Sequence, residues 1–272
     1  MKKLSLIFTA FIFVLSLASI ALADMTADEI ITKHLEMTGG LDNYKNLKSI
    51  EYSGKAFAQQ MSFDVLMANE TPNKYAMKWS SEMANVEMGS DGKENWALYP
   101  GVPGYIMTDE EDLAAALESH LITPFLDYKE RGATAKLVGD EQVKGAEAYK
   151  IEYVTATGDT TYQYFDKSNF NLLKQSSAEG EVVFSKFKKV GDFTLAHTMN
   201  IYEGGQTIMM VFKDVTINGD IDESLFTAPA DSLRASPEIM EQIKKAMEAQ
   251  KAQQQKEEPK SEAPAETPSE GE

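Results

Sequence analysis

The stretch K-Y-A-M-K-W-S, residues 74–80, places a long apolar side chain at every second position, namely Tyr75, Met77 and Trp79. Small or polar residues occupy the positions between them. A period of two is typical of a β-strand with one apolar face and one solvated face. The stretch is therefore predicted to be a strand of an antiparallel sheet.

The same period continues on both sides of this strand. Turn residues separate the periodic segments, with N-E-T-P-N at 69–73 and S-D-G-K at 90–93. Because alternate side chains of a strand point to one side, we predict that these segments build one shared apolar face. The predicted face consists of Phe63, Val65, Met67, Tyr75, Met77, Trp79, Val86, Met88, Trp96 and Leu98.

A second series of strand patterns follows residue 148. Glycine-containing turns recur every 8 to 12 residues or so, which favours a continuous antiparallel meander. Both series together predict a mainly β protein with helices, whose curved antiparallel sheet has about eleven strands. The predicted strands of the second series lie around 149–153, 162–164, 172–173, 182–187, 195–202 and 207–217.

Helix signals surround the strands. Thr26 and Glu29 form a capping box, and Gly39 provides a C-terminal stop, so a helix is predicted over 27–38. Its apolar stripe includes Ile30, Ile31 and Leu35, which must be buried against another element. A second helix is predicted from Thr108 toward Tyr128 with a kink at Pro124, and a third opens at Ser236-Pro237.

The chain ends differ from the middle. Residues 1–23 have a basic start, an apolar stretch and an A-x-A site, so they are predicted to be a cleaved signal peptide rather than a membrane anchor. The expected units after it are a sheet domain over 24–229 and an amphipathic helix over 230–249. A disordered acidic tail rich in Pro, Glu and Ser is predicted over 250–272.

Composition excludes several functions. The chain has no cysteine, which excludes disulfides, thiol catalysis and Cys-bound zinc, and its formal net charge of −17 disfavours nucleic acid as a partner. The three histidines have no spacing typical of metal ligands, and no catalytic or nucleotide-binding motif occurs. We therefore expect a non-enzymatic monomer without cofactor or metal.

The predicted sheet has more apolar surface than the helices can cover. Eleven strands at about 4.8 Å are about 50 Å wide, whereas one helix covers about 10 Å. The sheet must either fold into a sandwich or curl into a partial barrel with an apolar hollow. Methionine is abundant on this face and adapts to variable apolar shapes, which favours the hollow, although core filling explains any single methionine.

The order of several short motifs resembles the LolA-like family of periplasmic lipoprotein and lipid carriers. The motifs are T-G-G at 38–40, L-K-S-I-E-Y-S-G-K at 47–55, D-G-K-E-N-W-A-L-Y-P at 91–100, V-K-G-A-E-A-Y-K-I-E-Y at 143–153, Y-F-D-K-S-N-F-N-L-L-K at 164–174 and V-T-I-N-G-D-I-D-E-S-L-F-T-A-P at 215–229. The resemblance implies an unclosed half-barrel whose concave face is covered by helices around a hydrophobic cavity for acyl chains. The first helix, with Ile30, Ile31 and Leu35, would be part of the lid that these helices form over the cavity.

Two functional hypotheses follow. The leading one is a periplasmic carrier, or transport chaperone, that binds acyl chains of a lipoprotein or lipid in this cavity. It would move them toward the outer membrane, with inner- and outer-membrane proteins as donor and acceptor. The alternative is a periplasmic sensor or interaction module that uses the same half-barrel to bind a partner protein or misplaced lipid. An enzyme ranks third.

Overall fold

The computed structural model describes residues 25–58, 61–101, 104–107 and 123–235, together with positions 239, 241 and 245. The described residues form a single fourteen-stranded sheet. Its strands are β1 Ser49–Ala58, β2 Met61–Glu70, β3 Lys74–Ser80, β4 Asn85–Ser90, β5 Asn95–Leu98, β6 Tyr105–Met107, β7 Thr134–Val143, β8 Ala146–Val154, β9 Thr160–Asp166, β10 Leu172–Ser176, β11 Gly180–Val190, β12 Phe193–Glu203, β13 Gln206–Ile217 and β14 Leu233–Ala235.

The two halves of the sheet meet at its centre. The strand order is β14-β6-β5-β4-β3-β2-β1-β13-β12-β11-β10-β9-β8-β7, so β1 pairs with β13 at the centre. Strands β2 to β6 follow β1 in chain order toward one edge, where β14 is the last strand. Neighbours are antiparallel except β14, which pairs with β6 in parallel. The edge strands β7 and β14 are not paired with each other. The sheet is therefore open in the part of the chain that is described.

Three of the fourteen strands are absent from the predicted eleven, and each lacks the apolar period used to find strands. β6 and β14 have only three residues each. β7 is an edge strand whose side chains are mostly exposed or half-buried, and only its last residue is buried. Because an edge strand needs little apolar surface, its sequence does not show a clear alternation.

The first helix agrees with its prediction. Helix α1 spans Ala27–Thr38, and Thr26 and Glu29 form the complete capping box. A second helix of five residues, α2, spans Leu41–Lys45, and a 3₁₀ turn spans Glu223–Phe226. None of the helices in the described ranges has the length and apolar character needed to cross a membrane.

The predicted second helix lies over 108–122 outside the described residues, and its predicted extension to Tyr128 is wrong. Residues 123–132 form turns. Asp127 has a φ of 49°, a left-handed conformation that stops a right-handed helix. The Arg131 guanidinium donates hydrogen bonds to the carbonyl oxygens of Leu126 and Pro124, which stabilise the turns instead.

The predicted C-terminal boundaries also need correction. The sheet continues past Pro229, because β14 uses Leu233–Ala235 as its last strand. Residues 233–235, which were predicted to be part of a helix over 230–249, are therefore in a strand. Within that range the structure describes helical conformation at Ile239, Glu241 and Lys245. The predicted signal peptide 1–23 and the predicted tail 250–272 lie outside the described residues.

Helix α1 marks the face that we call the inner face of the sheet. Its buried Ile30, Ile31 and Leu35 pack in one cluster with Ile151 of β8 and Phe165 of β9. In the strand order, β8 and β9 lie near the β7 edge. Helix α1 therefore covers one end of the inner face.

The opposite, or outer, face is covered in part by the chain segment after β13. Phe226 of the 3₁₀ turn is buried and packs with Ala68 of β2 and Ala76 of β3. The Trp96 indole Nε1 donates a 3.0 Å hydrogen bond to the Phe226 carbonyl oxygen. This contact fixes the segment against the outer side of β3 to β5.

Candidate functional site

One row of inner-face residues crosses six consecutive strands. Directly opposed residues of paired strands point to the same side of a sheet. The register pairs Tyr52 with Met67, Met67 with Met77, Met77 with Met88, Met88 with Ala97, and Ala97 with Tyr105. We call Tyr52, Met67, Met77, Met88, Ala97 and Tyr105 the methionine row. Its centre has three methionines in three adjacent strands.

A second set of apolar residues lies beside this row. Val65 is opposite Trp79, and Trp79 is opposite Val86. Phe63 packs obliquely against the Trp79 ring, with the ring centroids 5.8 Å apart. Eight of the ten residues predicted to share a face therefore do so: Phe63, Val65, Met67, Tyr75, Met77, Trp79, Val86 and Met88.

Trp96 and Leu98 are the two exceptions, and the prediction that they continue this face is wrong. Residue Met88 is opposite Ala97, so Trp96 and Leu98 point to the outer face. The hairpin between β4 and β5 pairs Ser90 with Asn95, which sets this parity. Alternation within each strand does not reveal it, because the register depends on the turn.

Burial divides the eight inner-face residues into two groups. Phe63, Val65 and Tyr75 are buried, and they act as packed core. The other five are half-buried, and they are Met67, Met77, Trp79, Val86 and Met88. The three methionines of this second group have long, flexible side chains that are only partly covered, and such side chains can rearrange around a guest, which tightly packed branched residues cannot do.

The second half of the sheet extends the same apolar surface. Met210 and Phe212 of β13 are buried in one cluster with Phe63 and Val65. Alternation left open whether Met209 or Met210 faces inward. The structure answers this, since Met210 is 3% exposed and Met209, which points to the outer face, is 38% exposed. These β13 residues could be assigned only once β1 was known to pair with β13.

The phenol groups of Tyr52, Tyr75 and Tyr105 on the inner face are neutral near pH 7. Burial raises the pKa of the Tyr75 phenol to about 12 and that of the Tyr105 phenol to about 12. Burial also raises the pKa of Tyr52. The Trp79 Nε1 donor is buried and has no hydrogen-bond partner among the described residues. A buried donor without a partner costs about 1–3 kcal/mol, so a ligand acceptor at this position would gain a hydrogen bond.

The residues of the predicted lid helix lie on the inner face at its β8–β9 end, not over the methionine row. Ile30, Ile31 and Leu35 belong to the packed cluster at β8 and β9, which contains none of the ten predicted lining residues. In that cluster the His34 ring lies beside Phe125 and Phe165. The part of the inner face covered by α1 is thus a packed core, separate from the methionine row.

The outer face carries a different feature. An open groove of about 770 Å³ lies over β1, β2, β3 and β13. Its wall includes the exposed apolar Phe57 and Val211 and the charged Lys55, which pairs with Asp64 at 2.7 Å. The groove is on the side of the sheet opposite to the methionine row.

The described part of the chain contains no group of three or more histidine and acidic side chains placed to hold a metal ion. No family model and no curated protein sequence matches the chain.

Solved structures with similar folds were found. A DUF1329 family protein from Desulfovibrio piger matches with a TM-score of 0.54 at 10% identity, over 74% of this chain and 97% of that chain. A LolA superfamily protein from Nitrosomonas europaea matches with a TM-score of 0.49 at 12% identity, over 75% of this chain and 98% of that chain. A domain described as a putative outer membrane lipoprotein-sorting protein, from Vibrio parahaemolyticus, has a TM-score of 0.43 at 12% identity, over 74% of this chain and 96% of that chain.

About a quarter of this chain has no counterpart in the Desulfovibrio piger structure, which itself is covered almost completely. At these identities the likeness concerns the fold. This chain therefore shares its overall fold with the Desulfovibrio piger protein.

Proposed function

We propose that the protein is a non-catalytic carrier that binds the acyl chains of a lipid or lipoprotein on the inner face of its sheet. The methionine row is the observation that carries this proposal. All six of its side chains are uncharged, and four of them, namely Tyr52, Met67, Met77 and Met88, are half-buried. They lie on an open sheet, at a distance in the strand order from the helix-covered end. The matched solved structures include a domain described as lipoprotein-sorting, which agrees with the proposal.

The physical need for such a carrier follows from the cost of exposing acyl chains to water. Each exposed methylene costs about 0.8 kcal/mol, so a sixteen-carbon chain costs on the order of 12 kcal/mol. Cargo must also be released to an acceptor, which is easier from a surface that packs imperfectly. The compartment in this proposal is the periplasm, and membrane proteins would deliver and receive the cargo.

Lipid extraction tests the proposal directly. The full chain is purified, extracted with organic solvent and examined by mass spectrometry, and binding of a fluorescent sixteen-carbon fatty acid is titrated. Met77→Arg places a charge in the centre of the methionine row, and we expect it to weaken probe binding at least tenfold with the fold retained. Equal binding by the variant would remove the row from the site.

Met83→Arg is the matched control, because Met83 is 80% exposed and lies between β3 and β4. The same chemical change there should leave probe binding as in the original protein. Circular dichroism melting curves of both variants separate loss of binding from loss of folding.

The alternative function, a module that binds a partner protein, has one supporting observation. The outer groove has two exposed apolar residues, Phe57 and Val211, on a face that would remain free while the inner face holds lipid. Co-purification of one protein at equal stoichiometry, without lipid, would favour this alternative.

A further inference from the structure

Ile239, beyond β14 in the sequence, lies against the inner face. Strand β14 runs beside β6, and its last residue, Ala235, pairs with Met107. Four residues later, Ile239 is helical and half-buried. It packs against the cluster of Ala97 and Tyr105, both of which point to the inner face.

This contact lies at one end of the methionine row. Ala97 and Tyr105 are the last two members of the row, and Met88 packs against the same cluster. The side of the helix away from the sheet is polar, since Glu241 and Lys245 are exposed and form a 3.1 Å ion pair. The segment therefore presents an apolar residue to the sheet and charges to water.

The sequence beyond Ile239 continues this pattern. Met240, Ile243 and Met247 follow at a spacing that, in a continued helix, would place them on the side of Ile239. A helix over 239–249 is about 16 Å long, or about three strand spacings. Starting at Ala97 of β5, a helix of this length is sufficient to reach across Met88 and Met77.

We propose that the C-terminal segment from Ile239 docks on the methionine row and competes there with acyl cargo. The competition rests on the proposed carrier function, whereas the docking rests on the Ile239 contact alone. The apolar residues Met240, Ile243 and Met247 of the segment match the apolar character of the methionine row. Cargo binds only to molecules in which the segment is displaced, so the apparent affinity is reduced by the fraction that is displaced.

Two measurements on the full chain test the proposal. The first is oxidation of Met88 by dilute hydrogen peroxide without lipid, read by peptide mass spectrometry with the exposed Met83 as the internal reference. The second is titration with the fluorescent sixteen-carbon fatty acid. We compare the original protein with Ile239→Asp, Ile239→Ala and the control Glu241→Gln, which changes an exposed residue of the same segment.

In the Ile239→Asp variant we expect peroxide to oxidise Met88 severalfold faster than in the original protein. We also expect this variant to bind the probe at least threefold more tightly. Ile239→Ala should lie between it and the original protein, and Glu241→Gln should match the original. Unchanged Met88 oxidation in Ile239→Asp would overturn the docking. Faster oxidation with equal probe affinity would overturn the competition. Faster oxidation in a protein that never binds the probe would overturn the carrier function and uphold the docking.

Discussion

Acidification should destabilise the protein through one half-buried histidine, His34 of α1. Its Nδ1 donates a 2.8 Å hydrogen bond to the Phe170 carbonyl oxygen, and its ring centroid is 5.5 Å from that of Phe125 and 5.0 Å from that of Phe165. Burial among these rings lowers the pKa of His34 from 6.5 to about 4. The folded protein therefore holds His34 neutral at a pH where the unfolded chain is protonated.

The sign and size follow from proton linkage. Between pH 6.5 and about 4 the unfolded state binds one more proton than the folded state at this residue, so the free energy of unfolding falls as pH falls. The stabilisation is fully present above pH 6.5 and lost as the pH approaches the folded value. A shift of this size corresponds to about 3 kcal/mol, at about 1.4 kcal/mol per pH unit.

Urea unfolding followed by circular dichroism at pH 7.5, 5.5 and 4.5 measures this effect. His34→Gln keeps a hydrogen-bond donor but cannot titrate. On acidification the original protein should therefore lose most of about 3 kcal/mol of its free energy of unfolding relative to this variant. Met37→Gln, at an exposed position of the same helix, should keep the original pH dependence. A difference between the original protein and His34→Gln that stays constant over this pH range would refute the reasoning.

Two further predictions concern single contacts in the sheet. A Cβ added at Gly54 would lie 2.1 Å from the Val211 carbonyl oxygen, at the bulge where β1 meets β13, so Gly54→Ala should lower the free energy of unfolding by about 2 kcal/mol or more; an unchanged urea midpoint would contradict this. Trp96→Phe leaves the Phe226 carbonyl without its hydrogen bond. The control is Trp79→Phe, because the Trp79 indole donor has no partner among the described residues. Trp96→Phe should lower the free energy of unfolding by about 1–3 kcal/mol more than Trp79→Phe does. Equal losses of stability in the two tryptophan variants, measured by thermal melting, would show that the indole hydrogen bond contributes nothing.

The sequence predicted best those features that depend on neighbouring residues. The N-terminal bound of α1 follows from the Thr26 and Glu29 side chains, which bond to the backbone three residues away, and the structure confirms it. The alternation of Tyr75, Met77 and Trp79 is also local, and these residues do share the inner face. Such features are visible in a short window of sequence.

The features that were missed depend on pairing between distant segments. Trp96 lies on the outer face because the β4–β5 turn sets the register, and β14 exists because residues 233–235 find an edge at β6. The apolar stripe of α1 predicts burial but not its partner, which is the β8–β9 end of the sheet. Sequence reasoning thus identified the inner-face residues of β2 to β4 but not the contribution of β13.

The pairing of β1 with β13 has a consequence for how the protein is made. Ile50 is opposite Ile217, so the central seam joins residues that are 167 positions apart. Synthesis proceeds from the N-terminus, and β1 therefore waits with one side unpaired until almost the whole domain has emerged. Contacts between such distant residues slow folding. During this interval the unpaired edge of β1 can pair with other chains. Molecular chaperones that shield this edge should therefore raise the yield of folded protein.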